Sequence, residues 1–309
     1  MSQIRRFIKP LSPLLCFLFF ITLSSKASSQ ALENNKKQDW NFSVGINENV
    51  STYSIPKAEM ARHVINVSGR PLYFLEVYRD RQSGPKPLII FVHGTPGAWF
   101  DYAAFLGSDY MRDNFHMISI DRLGHGGSHG KVESSLKAQA AALKPLFERN
   151  TTNKGAILVG HSYGGPVVAR TAMDHADDVS GLVFIASTAD PKRSRRWYNT
   201  AAGIPPICWL LPRELARSNR EILPLKRELK AMLPLWQNIT VPTTIIQGGK
   251  DKLVKAKNAN FIQKSLSNAK VEMIFDAEAD HFIHWRNPQL LIDALMRFIP
   301  SPNTEAAQQ

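Results

Sequence analysis

The segment Gly160-His161-Ser162-Tyr163-Gly164-Gly165 constrains the fold more than any other part of the chain. It directly follows the apolar run at residues 156–159, which predicts a short buried strand. A serine with a glycine two residues before and two residues after it, between a strand and a helix, is the nucleophile-elbow pattern. The small residues let strand and helix pass closely while the serine sits in a strained turn. Ser162 is therefore the candidate nucleophile, and a plain glycine-rich turn is the alternative.

The N-terminus predicts an export signal. A basic stretch at residues 5–9 precedes an apolar stretch at residues 14–23, and small residues offer cleavage sites after Ala27 or Ala31. Ten apolar residues are few for a bilayer crossing, which needs about 20. The sequence thus predicts a periplasmic or secreted protein, with an uncleaved membrane anchor as the alternative.

Cysteine content and charge change once this signal is removed. Loss of residues 1–27 removes four basic residues and no acidic residue, so the formal net charge falls from +12 to +8. Cys208 is then the only cysteine, and no intramolecular disulfide can form. Stability must come from a packed core, for which about 280 residues are ample.

From residue 59 onward the chain alternates strand-like and helix-like segments. Strands are predicted at residues 62–67, 72–79, 87–92, 116–121, 155–160, 180–186, 242–247 and 270–276. Helices are predicted at residues 99–112, 133–148, 163–175, 256–266 and 288–299. Such alternation predicts an α/β fold with a mostly parallel sheet and helices on both faces. The first two strands are close in sequence and predict an antiparallel hairpin.

One segment, residues 190–236, breaks this alternation and predicts a small helical cap over the carboxyl edge of the sheet. It holds six prolines and the sequence Ser218-Asn219-Arg220-Glu221, which reads as a capping box at a helix start. We therefore divide the chain into a signal peptide (1–27), a leader (28–58), a core (59–189 and 237–300) and this cap.

The predicted cap is strongly basic. Between residues 191 and 231 it carries ten Lys and Arg against three Glu, so its net charge of +7 is nearly all of the mature +8. Together with Trp197, Trp209 and Trp236 this charge leaves weak contact with a membrane surface as one interpretation. A merely solvated basic face is the other interpretation.

A serine nucleophile needs a base, and the base needs an orienting carboxylate. Asp251 follows the predicted strand 242–247, and His281 follows the predicted strand 270–276. Because the carboxyl ends of parallel strands meet at one edge, both side chains are expected near Ser162, in the chain order Ser, Asp, His. Asp190 and His284 remain the alternative acid and base.

The site also needs donors for a developing oxyanion. The predicted strand 87–92 ends in His93-Gly94-Thr95-Pro96-Gly97, hereafter the oxyanion loop. Since Pro96 has no N–H, the N–H of Thr95 is the expected first donor, and the N–H of Tyr163 is the second. His93 is expected to brace the loop.

Taken together, these motifs resemble the α/β-hydrolase family. The resemblance rests on residues 93–97, 121–128 and 160–165 together with Asp251 and His281, and it covers about residues 60–300. It implies an eight-stranded sheet, a triad of Ser162, His281 and Asp251, and neither a metal nor an organic cofactor. The same resemblance implies structural roles for Asp121, Arg122 and His125.

The resemblance implies a serine hydrolase that cleaves a carboxylic ester or related acyl bond of a small molecule through an acyl-enzyme. Haloalkane dehalogenases and epoxide hydrolases resemble this layout but carry aspartate at the position of Ser162. The oxyanion loop also matches proline iminopeptidases, although Tyr163 stands where their elbow usually has Trp. An aminopeptidase of that kind and a cofactor-free acyltransferase are the alternatives. No nucleic-acid partner is expected, and the oligomeric state is not predicted.

Overall fold

The computed structural model describes residues 55–79, 84–193 and 213–299. The predicted signal peptide, nearly all of the predicted leader and residues 194–212 of the cap lie outside these ranges. Export and the domain boundaries at those positions therefore stay predictions.

The described residues form one sheet of eight strands, each within two residues of its predicted position. The strands are β1 (Met60–Val67), β2 (Arg70–Val77), β3 (Leu88–Val92), β4 (His116–Ile120), β5 (Ala156–His161), β6 (Val179–Ile185), β7 (Thr243–Gly248) and β8 (Val271–Asp276). Their order is β1-β2-β4-β3-β5-β6-β7-β8. Strand β2 runs antiparallel to β1 and β4, while β4, β3, β5, β6, β7 and β8 are mutually parallel. The predicted mostly parallel sheet with its initial hairpin is confirmed.

The helices are shorter than the sequence pattern predicts in two places. They are α1 (Ala103–Gly107), α2 (Asp109–Asn114), α3 (Leu136–Ala141), α4 (Gly164–Asp174), α5 (Arg213–Met232), α6 (Lys257–Ser265), α7 (Ile283–Arg286) and α8 (Pro288–Met296). The prediction at 99–112 breaks because Ser108 leaves the helical conformation and caps α2. The prediction at 133–148 ends early, and Pro145, which has no N–H, begins a 3₁₀ turn there.

The core lies on both faces of the sheet. Every residue of β3 is buried, and alternate side chains enter two separate apolar clusters. Leu88, Ile90 and Val92 join one cluster, whereas Ile89 and Phe91 join the other. Burial on both faces follows from helices covering a parallel sheet, and it explains why the strand reads as a continuous apolar run. The sheet is thereby a rigid platform for the loops at its carboxyl edge.

Helix α5 differs from the predicted short helical pieces. It runs without a break through Pro224, and Leu225, Leu229 and Met232 pack into the same cluster as β3. Proline removes one backbone donor from a helix, but burial of an apolar face stabilises the helix across it. Ser218 is the sixth residue of the helix as described, and its hydroxyl donates to the carbonyl of Glu214 at 2.9 Å. The capping-box interpretation is therefore wrong.

Two observations bear on the membrane interpretation. Trp236 is buried in the core, with its ring centroid 5.9 Å from that of Phe261, and cannot serve as a surface anchor. Trp197 and Trp209 lie outside the described residues. Within the described ranges, no helix combines the length and apolar character needed to cross a membrane.

Candidate active site

Ser162 occupies a strained turn between β5 and α4. Its φ is +52°, in the left-handed region that residues with a side chain seldom adopt. The turn is held from both sides, because the Ser162 N–H donates to the Ile185 carbonyl at 2.9 Å and the Thr188 N–H donates to the Ser162 carbonyl at 3.1 Å. These bonds fix the serine at the carboxyl edge of the sheet, as the elbow pattern predicts.

The two glycines of the elbow are sterically required. A Cβ on Gly160 would lie 2.6 Å from the Gly164 carbonyl oxygen, and a Cβ on Gly164 would lie 2.2 Å from the Val92 oxygen. Both neighbours are backbone atoms that cannot move aside. The spacing of the glycines thus reflects the close passage of β3, β5 and α4.

The structure brings Asp251 and His281 into direct contact. The Asp251 Oδ2 atom and the His281 Nδ1 atom are 2.7 Å apart, and both side chains are buried. The other oxygen, Oδ1, accepts the N–H groups of Leu253 and Val254 at 2.8 and 2.7 Å. With Oδ1 occupied in this way, Oδ2 is directed to the imidazole. The carboxylate therefore orients the ring and favours a proton on Nδ1.

His281 contacts His161, the residue that directly precedes the nucleophile Ser162. The His161 and His281 ring centroids are 4.7 Å apart, and His161 Nε2 lies 3.1 Å from the His281 carbonyl oxygen. Burial, followed by the nearby His284 and His281 charges, holds the pKa of His161 well below its ordinary value. His161 is therefore a neutral packing residue of the elbow.

The alternative acid and base occupy other environments. The Asp190 carboxylate accepts the Lys192 N–H at 2.9 Å and pairs with Arg193 at 3.3 Å in the turn after β6. His284 is buried, and burial together with the His281 charge lowers its pKa to about 3. Neither His284 ring nitrogen has a hydrogen-bond partner among the described residues. The carboxylate–imidazole contact expected of a triad is thus the one between Asp251 and His281.

The oxyanion loop packs against the elbow. A Cβ on Gly94 would lie 3.1 Å from the Ser162 Cβ, so the loop backbone passes close to the nucleophile residue. His93 lies inside the loop, where its Nε2 accepts the Arg122 N–H at 2.9 Å. Burial, followed by the Arg122 charge, holds the pKa of His93 well below its ordinary value, so it stays neutral. His93 braces the loop.

Sequence reasoning missed a buried ion pair beneath this loop. The Arg122 guanidinium makes a two-pronged contact with Glu221 of α5, with N–O distances of 2.6 and 3.0 Å, and both side chains are fully buried. Burial alone raises the pKa of Glu221, but Arg122 and His125 together bring it well below its ordinary value. The only sequence signal was a glutamate within a basic segment, and pattern analysis assigned that glutamate to a helix cap.

A cleft of about 470 Å³ lies elsewhere, at the amino edge of the sheet, and holds none of the predicted site residues. Its wall includes Glu76 of β2, a buried carboxylate that contacts His116 at 2.8 Å, His63 at 2.7 Å and Arg149 at 3.0 Å. Burial by itself raises the pKa of Glu76, but the His116 hydrogen bond and the neighbouring positive charges lower it to about 2. Its ionised form therefore stabilises the fold.

We expect Glu76→Gln to remove an acid-sensitive part of the stability. A carboxylate whose pKa falls on folding stabilises the fold fully above its unfolded pKa of about 4.5, and that stability is lost as pH falls from there through about 2. Urea unfolding should show the variant about 2 kcal/mol less stable than wild type at pH 6, and the difference should fall to about a quarter of that near pH 2.5. Glu278→Gln, at an exposed ion pair with Lys250, should change little at either pH. An equal loss at both pH values would contradict this role of Glu76.

No group of three or more His, Cys, Asp or Glu side chains that could hold a metal ion occurs in residues 55–79, 84–193 and 213–299. The polar groups at the carboxyl edge have the chemistry that acyl transfer uses. They comprise a strained serine, an oriented imidazole and a loop that can present backbone N–H groups.

The chain belongs to the alpha/beta hydrolase family, whose model matches residues 89–294. Among curated proteins it is similar to 1-acylglycerol-3-phosphate O-acyltransferase of Arabidopsis thaliana, with 31% identity over 46% of this chain and 34% of that protein. It is also similar to monoacylglycerol lipase ABHD6 of Bos taurus, with 25% identity over 74% of this chain and 79% of that protein.

Solved structures share the fold. An esterase from Exiguobacterium antarcticum superposes with a TM-score of 0.57 at 17% identity, covering 76% of this chain and 97% of that one. The chain spans only about a third of the length of the first curated relatives that it matches, at 34%, 38% and 29%. The family and the fold are thereby established.

Proposed function

We propose that this protein is a serine hydrolase that cleaves a carboxylic ester or related acyl bond through an acyl-enzyme. The 2.7 Å contact between Asp251 and His281 carries the proposal, because it orients an imidazole at the sheet edge that also presents the strained Ser162. A buried carboxylate that holds a histidine in one tautomer is the support that a serine nucleophile requires.

In the proposed acylation step, the Ser162 hydroxyl oxygen attacks the substrate carbonyl carbon while His281 Nε2 takes the hydroxyl proton. Asp251 keeps the other ring proton on Nδ1 and stabilises the imidazolium that forms. Negative charge develops on the carbonyl oxygen, and the N–H groups of Thr95 and Tyr163 stabilise it. Collapse of this intermediate breaks the acyl bond, and His281 returns its proton to the leaving alcohol.

Deacylation repeats these steps with water as the attacking group and the Ser162 oxygen as the leaving group. His281 takes a proton from the water as it attacks the Ser162 ester, and the same N–H groups stabilise the second oxyanion. The acid product leaves, and the proton returns to the serine oxygen. The two steps balance without a redox change.

The relatives bear on which acyl bond is cleaved. One relative is a monoacylglycerol lipase, and its activity supports an oxygen ester as the substrate. Another relative is named an O-acyltransferase, which favours acyl transfer to an alcohol as the second candidate. Hydrolysis and transfer use the same acyl-enzyme and differ only in the acceptor.

The test is a substrate panel measured with the full chain. The panel contains aryl esters of graded acyl length, lactones, and aryl amides of single amino acids with a free amino group. Each substrate is compared by kcat/KM, with and without an alcohol such as glycerol. We expect ester hydrolysis to exceed amide hydrolysis, with free acid as the product. A preference for the amides would instead favour an aminopeptidase, and formation of a glycerol ester as the main product would favour an acyltransferase.

A further inference from the structure

The Arg122 side chain binds the predicted oxyanion loop at two points. Its Nε donates to the His93 carbonyl at 3.0 Å, and its Nη2 donates to the Gly94 carbonyl at 2.8 Å. The Gly94 oxygen is also 2.7 Å from His93 Nδ1. The carbonyl groups of two consecutive loop residues thus accept hydrogen bonds from the Arg122 guanidinium, and the second also lies beside the His93 ring.

The hydrogen bond from Arg122 to the Gly94 carbonyl sets the direction of the Thr95 N–H. The Gly94 carbonyl and the Thr95 N–H belong to one planar trans peptide, in which the two groups point in opposite directions. Fixing the oxygen toward Arg122 therefore turns the N–H away from Arg122. The peptide cannot rotate unless the Arg122 hydrogen bond breaks.

Arg122 also contacts the residue that supplies the second predicted donor. Its guanidinium carbon lies 4.6 Å from the centroid of the Tyr163 ring, within the range of a cation–π contact. Tyr163 is buried and directly follows Ser162. One guanidinium thus supports both backbone segments from which the oxyanion donors are expected.

Arg122 is in turn held by α5. Glu221 binds two guanidinium nitrogens, and its Oε1 also accepts from Gln139 Nε2 at 3.0 Å. A second bond joins helix and loop, because the Thr95 hydroxyl donates to the Ser218 hydroxyl at 3.1 Å. Ser218 and Glu221 are three residues apart and so lie on the same face of the helix.

We propose that Glu221 and Ser218 are positioning residues for acyl transfer: through Arg122 and the Thr95 hydroxyl, they hold the oxyanion loop in its donor geometry. This inference rests on the proposed function. It assigns α5 a role in the chemical step. Since the oxyanion forms only after the substrate has bound, the effect belongs to kcat and leaves KM nearly unchanged.

The test needs a variant that removes the contact without leaving an unpaired buried charge. Removal of one partner of a buried pair is strongly destabilising, whereas apolar replacement of both is often tolerated. The main variant is therefore Arg122→Met with Glu221→Leu, beside Ser218→Ala. The matched control is Arg170→Met with Asp174→Leu, which removes the 2.7 Å ion pair on α4 without touching the loop.

For an aryl acetate we expect the Arg122/Glu221 double variant to lose on the order of 10- to 100-fold in kcat, with KM within about threefold of wild type. Ser218→Ala should lose about threefold, and the α4 control should match wild type. Hydrogen–deuterium exchange of the peptide that contains the oxyanion loop should accelerate in the double variant and stay unchanged in the control. A double variant with wild-type kcat and wild-type loop exchange would overturn the inference.

Failure of the proposed function would look different. If wild type turns over no ester and Ser162 resists a fluorophosphonate, the proposed hydrolase fails, and loop exchange alone decides whether α5 holds the loop. If Ser162 is labelled but no ester in the panel is cleaved, the labelling rate replaces kcat. In that case an unchanged rate in the double variant counts against the positioning role.

Discussion

We expect Ser162→Ala to reduce kcat for an aryl ester by about 10⁵-fold while KM stays within about threefold of wild type. The variant loses the attacking oxygen, so no acyl-enzyme can form. It keeps the imidazole, the carboxylate and the oxyanion loop, which act on the bound substrate but cannot replace the nucleophile. The measurement is steady-state kinetics together with intact-protein mass after reaction with a fluorophosphonate, whose phosphonyl group should add to wild type and not to the variant.

A matched control comes from a serine outside the site. Ser180, at the amino end of β6, donates to the Gly155 carbonyl, and Ser180→Ala should retain wild-type turnover and labelling. Alanine at position 162 keeps the backbone hydrogen bonds that hold the elbow, so Ser162→Ala and Ser180→Ala should have similar thermal unfolding temperatures. Undiminished ester turnover in Ser162→Ala would contradict a mechanism in which Ser162 is the nucleophile.

Asp251→Asn should reduce kcat by about 10⁴-fold without disturbing the fold. The asparagine oxygen can still accept the N–H groups of Leu253 and Val254, which now bind Oδ1 of Asp251. Its NH₂ group must then face His281 Nδ1 and donate to it. That places the histidine proton on Nε2, so the imidazole can no longer accept the Ser162 proton.

Asp190→Asn is the matched control, because sequence reasoning left Asp190 open as the triad acid. Its carboxylate contacts Lys192 and Arg193 in a turn, and we expect activity within about twofold of wild type. Both variants are compared by kcat and by unfolding in urea. A large loss in Asp190→Asn beside an active Asp251→Asn would reassign the acid.

The sheet could be predicted from sequence because each strand carries its own local signal. Strands buried on both faces read as continuous apolar runs bounded by glycine or polar residues, and β3 and β5 show this directly. The chain order of Ser162, Asp251 and His281 at strand ends indicated the candidate site for the same reason. The parallel arrangement itself brings strand ends to one edge.

Helix α5 could not be predicted in the same way. Pro224 indicated a break, and the spacing of Ser218 and Glu221 indicated a helix start, whereas the helix runs through both. Its continuity depends on Leu225, Leu229 and Met232 packing into a core assembled from distant strands. Local propensity contains no information on that packing.

By itself, the sequence determined the fold class, the elbow at Ser162 and the residues able to act as base and acid. These features depend on spacing along the chain and on steric limits at single positions, as at Gly160 and Gly164. Only the tertiary structure decided that Asp251 rather than Asp190 meets His281, and that Glu221 holds Arg122 beneath the oxyanion loop. Those contacts join residues 30 and 99 positions apart, and their geometry arises only when separate elements pack together.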